Sequence, residues 1–278
     1  MDYHKILTIQ DISCVGQCSL TVALPILSAA GQETCILPSA VLSTHTAGFT
    51  GFTCRDLTAD MPAIAEHWKK ENIRFDAVYT GYLGSTEQIG YVQSIFTELL
   101  KPGAPKIVDP AMADNGKLYP AFDMTYARKN TELCSCADMI VPNITEACIM
   151  TDTEYREEYD EEWIKGLLSK VVNLGARISV LTGVSLSEGK TGVMGYDKKN
   201  DDFYVYQNDK VGAMFHGTGD LFSSTVIGEI MHGKDWKDAM RIAADYTAHT
   251  IKVTMEDPKK PWYGVNFEET IPDLLRME

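Results

Sequence analysis

Short apolar runs recur along the chain, and between them hydrophobic residues return at every third or fourth position. The runs predict strands at Lys5–Ile9, Thr34–Leu37, Ala77–Thr80, Lys106–Val108, Met139–Val141, Ile178–Leu181, Thr191–Tyr196 and Phe203–Gln207. The longer periodicity predicts helices near 18–30, 61–71, 86–100, 122–133, 143–150, 161–174, 218–232, 236–255 and 267–275. Strands and helices alternate nearly end to end, as in a largely parallel sheet with helices on both faces. The expected fold is α/β and doubly wound, one domain over residues 1–278, with a small β flap from strands within 34–50.

Most of these strands end in a small or turn-forming residue beside a polar one. Asp11, Gly81, Asp109–Pro110, Pro142–Asn143 and Thr182–Gly183 all fall at such ends. In open α/β sheets ligands bind at the carboxyl ends of the strands, so candidate chemistry belongs on this edge.

The most informative segment is His216-Gly217-Thr218-Gly219-Asp220, which opens a helix with an apolar face of Phe222, Val226 and Ile230. Two glycines permit close backbone approach, and the free N–H groups of a helix start favour an anion. An acid inside such a site makes sense as a general base that takes a proton while the N–H groups hold a transferring phosphoryl group. The plain alternative is a glycine turn capped by Thr218 or Asp220.

Asn143-Ile144-Thr145-Glu146 follows a strand-like run. It reads either as a capping box or as a site where Asn143 and Glu146 stand near a hydrated magnesium ion. Asp109 and Asp114 add two acids at another strand end, where a turn is the plain reading. Gly183 to Thr191 imitates a phosphate-binding loop, but five residues separate Gly183 from Gly189 where that motif has four. A strand-like run follows it where the motif would open a helix, so a hairpin is expected.

Together these segments resemble the ribokinase superfamily, through Gly217-Thr218-Gly219-Asp220, Asn143-x-x-Glu146 and Asp109-Pro110. The nearer resemblance is to its pyridoxal kinase branch and covers almost the whole chain. It is carried by Ile9-Gln10, Thr44-His45-Thr46-Ala47-Gly48-Phe49, Thr80-Gly81-Tyr82 and the stretch from Asp109 to Tyr119. The resemblance implies a ribokinase-like, ATP-dependent kinase that phosphorylates the hydroxymethyl group of a B6 vitamer. It implies Asp220 as base, with Gly217, Thr218 and Gly219 as anion hole. It implies Asn143, Glu146 and Asp109 at the Mg²⁺ site, and Thr182 and Asp114 beside ATP, between the 178–182 strand and the 202–220 segment. Asp11, Ser13, His45, Thr46 and Tyr82 would form the substrate pocket, while His216 is expected to be structural. A homodimer is expected.

The chain also departs from that branch. Ile9-Gln10-Asp11-Ile12-Ser13 stands where the common pattern is Ile-Gln-Ser-His, Ala113 where glycine is usual, and Gly183 where a second hydroxyl residue often follows. A hydroxymethylpyrimidine or sugar kinase of the same fold stays open, as does a non-catalytic binding protein.

Charge narrows the partners. With 39 acids against 25 bases and a net charge of −14, the surface disfavours nucleic acid and anionic membrane. The longest apolar stretch, Leu20 to Ala30, is too short to span a bilayer and contains Pro25. Seven cysteines without a pairing framework read as free thiols of a soluble cytoplasmic protein.

Overall fold

Alternation within the strands decides the architecture. In β1 (Lys5–Ser13) Ile6 packs into one apolar cluster and Leu7 and Ile9 into another, and in β4 (Ala77–Thr80) Tyr79 and Val78 divide the same way. Strands apolar on both sides must be covered on both faces. The computed structural model describes residues 3–212 and 215–277 and meets that requirement with helices on each side.

Among the described residues the sheet has nine strands. Besides β1 and β4 they are β2 (Glu33–Leu42), β3 (Cys54–Asp56), β5 (Lys106–Val108), β8 (Met139–Ile140), β9 (Ile178–Val184), β10 (Lys190–Asp197) and β11 (Asp202–Asp209). Their order is β11-β10-β9-β8-β5-β4-β1-β2-β3. Pairing is parallel from β2 through β9 and antiparallel at both margins. On one face lie α1 (Leu20–Ala29), α7 (Thr218–Met231) and α8 (Trp236–Glu256). The other carries α2 (Met61–Lys70), α3 (Thr86–Glu98), α4 (Met124–Ser135), α5 (Ile144–Met150) and α6 (Glu161–Val172). The last helix, α9 (Phe267–Leu274), packs Phe267 and Leu274 with Val22, Ile26 and Tyr246. Among the described residues no helix is long and apolar enough to cross a membrane.

The chain leaves β1 for β2 on one side and then continues through β4 on the other. This reversal opens a crevice at the carboxyl ends of β1 and β4, the place where such sheets bind ligands. The ribokinase-like α/β arrangement expected from the sequence is therefore present, with each expected helix and strand within a few residues of its predicted span, except that β1 and β2 run four and five residues further.

Two details go beyond the sequence expectation and a third meets it. The flap expected within 34–50 takes the form of Ala40–Leu42 pairing antiparallel with β3, while the first part of β2 belongs to the main sheet. A separate hairpin joins β6 (Ala113–Asp114) to β7 (Lys117–Leu118) through Asn115 and Gly116, both at positive φ (50° and 75°). Asn-Gly suits that two-residue turn because both residues tolerate the left-handed backbone. The false phosphate loop is, as expected, the connection of an antiparallel hairpin between β9 and β10, and Lys190 pairs with the exposed Asp209.

Candidate active site

Five chain segments converge on the crevice: the end of β1, the loops after β2 and β4, the hairpin β6–β7 and the start of α7. They enclose a cavity of about 490 Å³ lined by Asp11, Ser13, His45, Thr46, Tyr82, Asp114, Gly217 and Asp220, among others. Eight residues selected from the sequence thus meet in one space. Ala213 and Met214, within the 202–220 segment expected to border ATP, lie outside the described residues.

Helix α7 begins at Gly217, whose φ of 79° places it in the left-handed region. A Cβ there would stand 1.7 Å from the carbonyl oxygen of Gln17, so only glycine fits the approach of these two segments. Thr218 uses its hydroxyl to donate to Phe215 O at 3.1 Å, closing the turn. Nothing stands within 4 Å of where a Gly219 side chain would begin, which leaves this first turn open.

Asp220 lies in that first turn, where the helix dipole favours an anion. Its carboxylate accepts the Ser19 N–H at 2.8 Å, the one hydrogen bond it makes among the described residues. Enclosure by protein pushes its pKa up to about 7; the Ser19 bond opposes this, and the nearby acids Asp109 and Asp11 add to it. Ser19 holds the donor in place through an unusual backbone, with φ 54° and ψ −130°.

A second pair of acids sits beside α7. Asp109 accepts the Ser223 hydroxyl and the Ala111 N–H, each at 3.1 Å, which ties the end of β5 to α7. Glu146, 2% exposed, is held by three backbone N–H groups: Met112 at 2.8 Å, Ala113 at 3.4 Å and Asn143 at 2.9 Å. Asn143 completes the capping box by accepting the Glu146 N–H, and its amide also donates to Ala113 O at 2.8 Å. Both carboxyls are pushed upward, by burial first, and Glu146 raises Asp109 further.

The capping reading of Asn143-x-x-Glu146 therefore holds in full, and it does not exclude a metal. Each oxygen of Asp109 has one donor and keeps a lone pair for a water or cation. No three acid, His or Cys side chains among the described residues converge closely enough to chelate an ion alone. Such a site fits magnesium that arrives with phosphates and keeps its own waters. Thr182 stands beside this pair through a bridge to Asn143 and does not line the cavity.

Tyr82 packs against Phe122, with ring centroids 5.3 Å apart, and burial followed by the Asp11 charge pushes its hydroxyl up to about 12. His216, expected to be structural, instead lines the cavity with its ring 5.4 Å from that of His45. Cys18, Ser19 and Tyr119 also line it without having been singled out as site residues. Tyr119 sits just after the Asn-Gly hairpin, and reading that turn would have pointed to it. Nothing local marks Ser19, whose partner lies 201 residues away.

The chain is similar in sequence and fold to known proteins. A family model described as phosphomethylpyrimidine kinase matches residues 32–262. A Bacteroides thetaiotaomicron protein provisionally named a phosphomethylpyrimidine kinase, crystallised with pyridoxal, is 35% identical with a TM-score of 0.93, covering 98% of this chain and 95% of its own. Pyridoxal kinase from Lactobacillus plantarum is 26% identical with a TM-score of 0.90, covering 98% of this chain and 97% of its own. Pyridoxal kinase from Arabidopsis thaliana is 25% identical over 276 residues, 94% of this chain and 86% of the plant protein.

Proposed function

Taking as premise that the chain belongs to the phosphomethylpyrimidine kinase family and is an ATP-dependent phosphotransferase, we propose that its acceptor is the hydroxymethyl group of a B6 vitamer. The observation that carries this reading is Asp220: an acid in the first turn of a helix that opens on a cavity, with its pKa pushed up to about 7. A base is most effective when its pKa lies near the working pH.

In this mechanism Asp220 accepts the proton of the vitamer's primary alcohol as that oxygen attacks the terminal phosphorus of ATP. The N–H groups of Gly217, Thr218 and Gly219 face the transferring phosphoryl group and compensate its charge, a task suited to a helix start. Thr46, Tyr82, His45 and the Asp11–Ser13 segment orient the ring, since in phosphoryl transfer positioning and charge compensation carry most of the rate. Asp109, with Glu146 and Asn143 behind it, would hold Mg²⁺ through water, and the ion would neutralise phosphate charge. Asp114 and Thr182 border the nucleotide. Location in the cytoplasm and assembly as a homodimer belong to the same proposal.

The relatives named pyridoxal kinase support the vitamer, whereas the description of the family model, phosphomethylpyrimidine kinase, favours a pyrimidine as the second reading. ATP turnover with pyridoxal, pyridoxamine, pyridoxine and hydroxymethylpyrimidine separates them. The expected result is phosphorylation of at least one vitamer at higher kcat/KM than the pyrimidine. Turnover of the pyrimidine alone would replace the vitamer reading.

A further inference from the structure

The cavity has an unbalanced charge. Asp11, Asp114 and Asp220 all line it, and its described lining residues include no lysine or arginine. Two histidines line it as well, and backbone groups engage both ring nitrogens of one of them. His45 Nε2 lies 2.7 Å from the Tyr263 carbonyl, to which it must donate, while its Nδ1 accepts the Ala47 N–H at 3.2 Å. One ring nitrogen donates and the other accepts, so backbone partners engage both and leave neither for an acid in the cavity. A second proton would point at the Ala47 N–H. Partial burial favours the neutral form of His216.

Asp11 is the most enclosed of the three acids, at 6% exposed. Its side-chain partner is the neutral Ser13 hydroxyl at 3.1 Å. A buried carboxylate without a cation is costly, and an ionic ligand relieves that cost. We propose that Asp11 is the counter-ion for the substrate, selecting a hydroxymethyl heteroaromatic that carries an aminomethyl group in its ammonium form over the corresponding aldehyde or alcohol. The proposal rests on the vitamer-kinase reading and names the member of that class the cavity prefers. The exocyclic amine of a pyrimidine does not substitute, because an amino group conjugated to the ring is not protonated there.

The test compares kcat/KM for pyridoxamine, pyridoxal and pyridoxine in the wild type and in Asp11→Asn. A charge-assisted hydrogen bond of ordinary strength corresponds to about a 10- to 100-fold preference. The amine-to-alcohol ratio of kcat/KM should fall by about that factor in Asp11→Asn. An equal loss for all three vitamers would overturn the proposal and assign Asp11 to the ring they share. Calorimetric binding of pyridoxamine and pyridoxine to the wild-type protein gives an independent measure if the variant folds poorly. These two differ only in ammonium against hydroxyl, and equal affinity would also overturn it. Failure of the vitamer-kinase reading would look different: no vitamer would be phosphorylated at all.

Discussion

Replacing Asp220 by Asn should slow the enzyme and stabilise the protein at the same time. Asparagine keeps the shape and can still accept the Ser19 N–H, now 2.8 Å from the carboxylate, but it cannot take a proton from an alcohol. Loss of a general base lowers turnover by about 10²- to 10⁴-fold. The stability effect follows from linkage. Burial pushes the pKa of the carboxyl up to about 7 from an ordinary 3.8, so folding disfavours its ionised form. Its contribution is neutral below about pH 4, grows more unfavourable as pH rises, and levels off above about 7. At about 1.4 kcal/mol per pH unit, that interval sets a ceiling of roughly 4 kcal/mol. Water reaching Asp220 from the cavity lowers this, and about 1–2 kcal/mol is the expected gain. The assay is steady-state turnover beside denaturant unfolding at pH 5 and pH 8, with the variant's stability advantage larger at pH 8. In the wild type, kcat should rise with pH through about 7. Near-wild-type turnover in the variant would refute the assignment of the base. A variant less stable than wild type at pH 8 would refute the argument that folding holds the carboxylate at a cost.

Two further outcomes follow from the same geometry. Gly217→Ala places a Cβ 1.7 Å from Gln17 O at a positive φ, so it should cost more than about 1 kcal/mol in unfolding free energy and reduce turnover at least tenfold; unchanged melting and activity would show that the 16–19 loop yields freely. Glu146→Gln exchanges one acceptor oxygen for an amide that faces an N–H group, which should cost about 1–3 kcal/mol and raise the Mg²⁺ concentration giving half-maximal turnover; an unaltered Mg²⁺ dependence would leave Glu146 with the capping role alone.

How far the sequence could be read depended on whether its signal was local. Helix α6 announces itself through Asp160 at its cap and an apolar face of Ile164, Leu167, Leu168 and Val171, and both features appear in place. The parallel strands were legible because each is a continuous apolar run, as burial on two faces requires. Strand β3 was not, since Cys54, Arg55 and Asp56 are all exposed and only the hydrogen bonds to β2 make them a strand. The site divides in the same way. Asp11, Asp109, Asn143 and Asp220 mark strand ends and helix starts that chain patterning predicts, although the resemblance supplied their proposed roles. The place of His216 beside the cavity was not legible, because its neighbours in the sequence are glycine and phenylalanine, whereas its neighbour in space is His45. The contacts of Ser19 with Asp220 and of Gln17 with Gly217 are made by backbone atoms, which residue type does not announce.

The bond from Ser19 to Asp220 has a consequence for when the chain acquires its reactivity. During synthesis the end of β1 and the start of α1 emerge long before α7, so the pocket wall exists as sequence well before its acid does. Asp220 set free in water is an ordinary weak base, because the enclosure that pushes its pKa to about 7 is absent. A nascent or locally opened molecule therefore lacks both the geometry and the proton affinity for the reaction. The raised proton affinity of this carboxylate is a property of the finished fold.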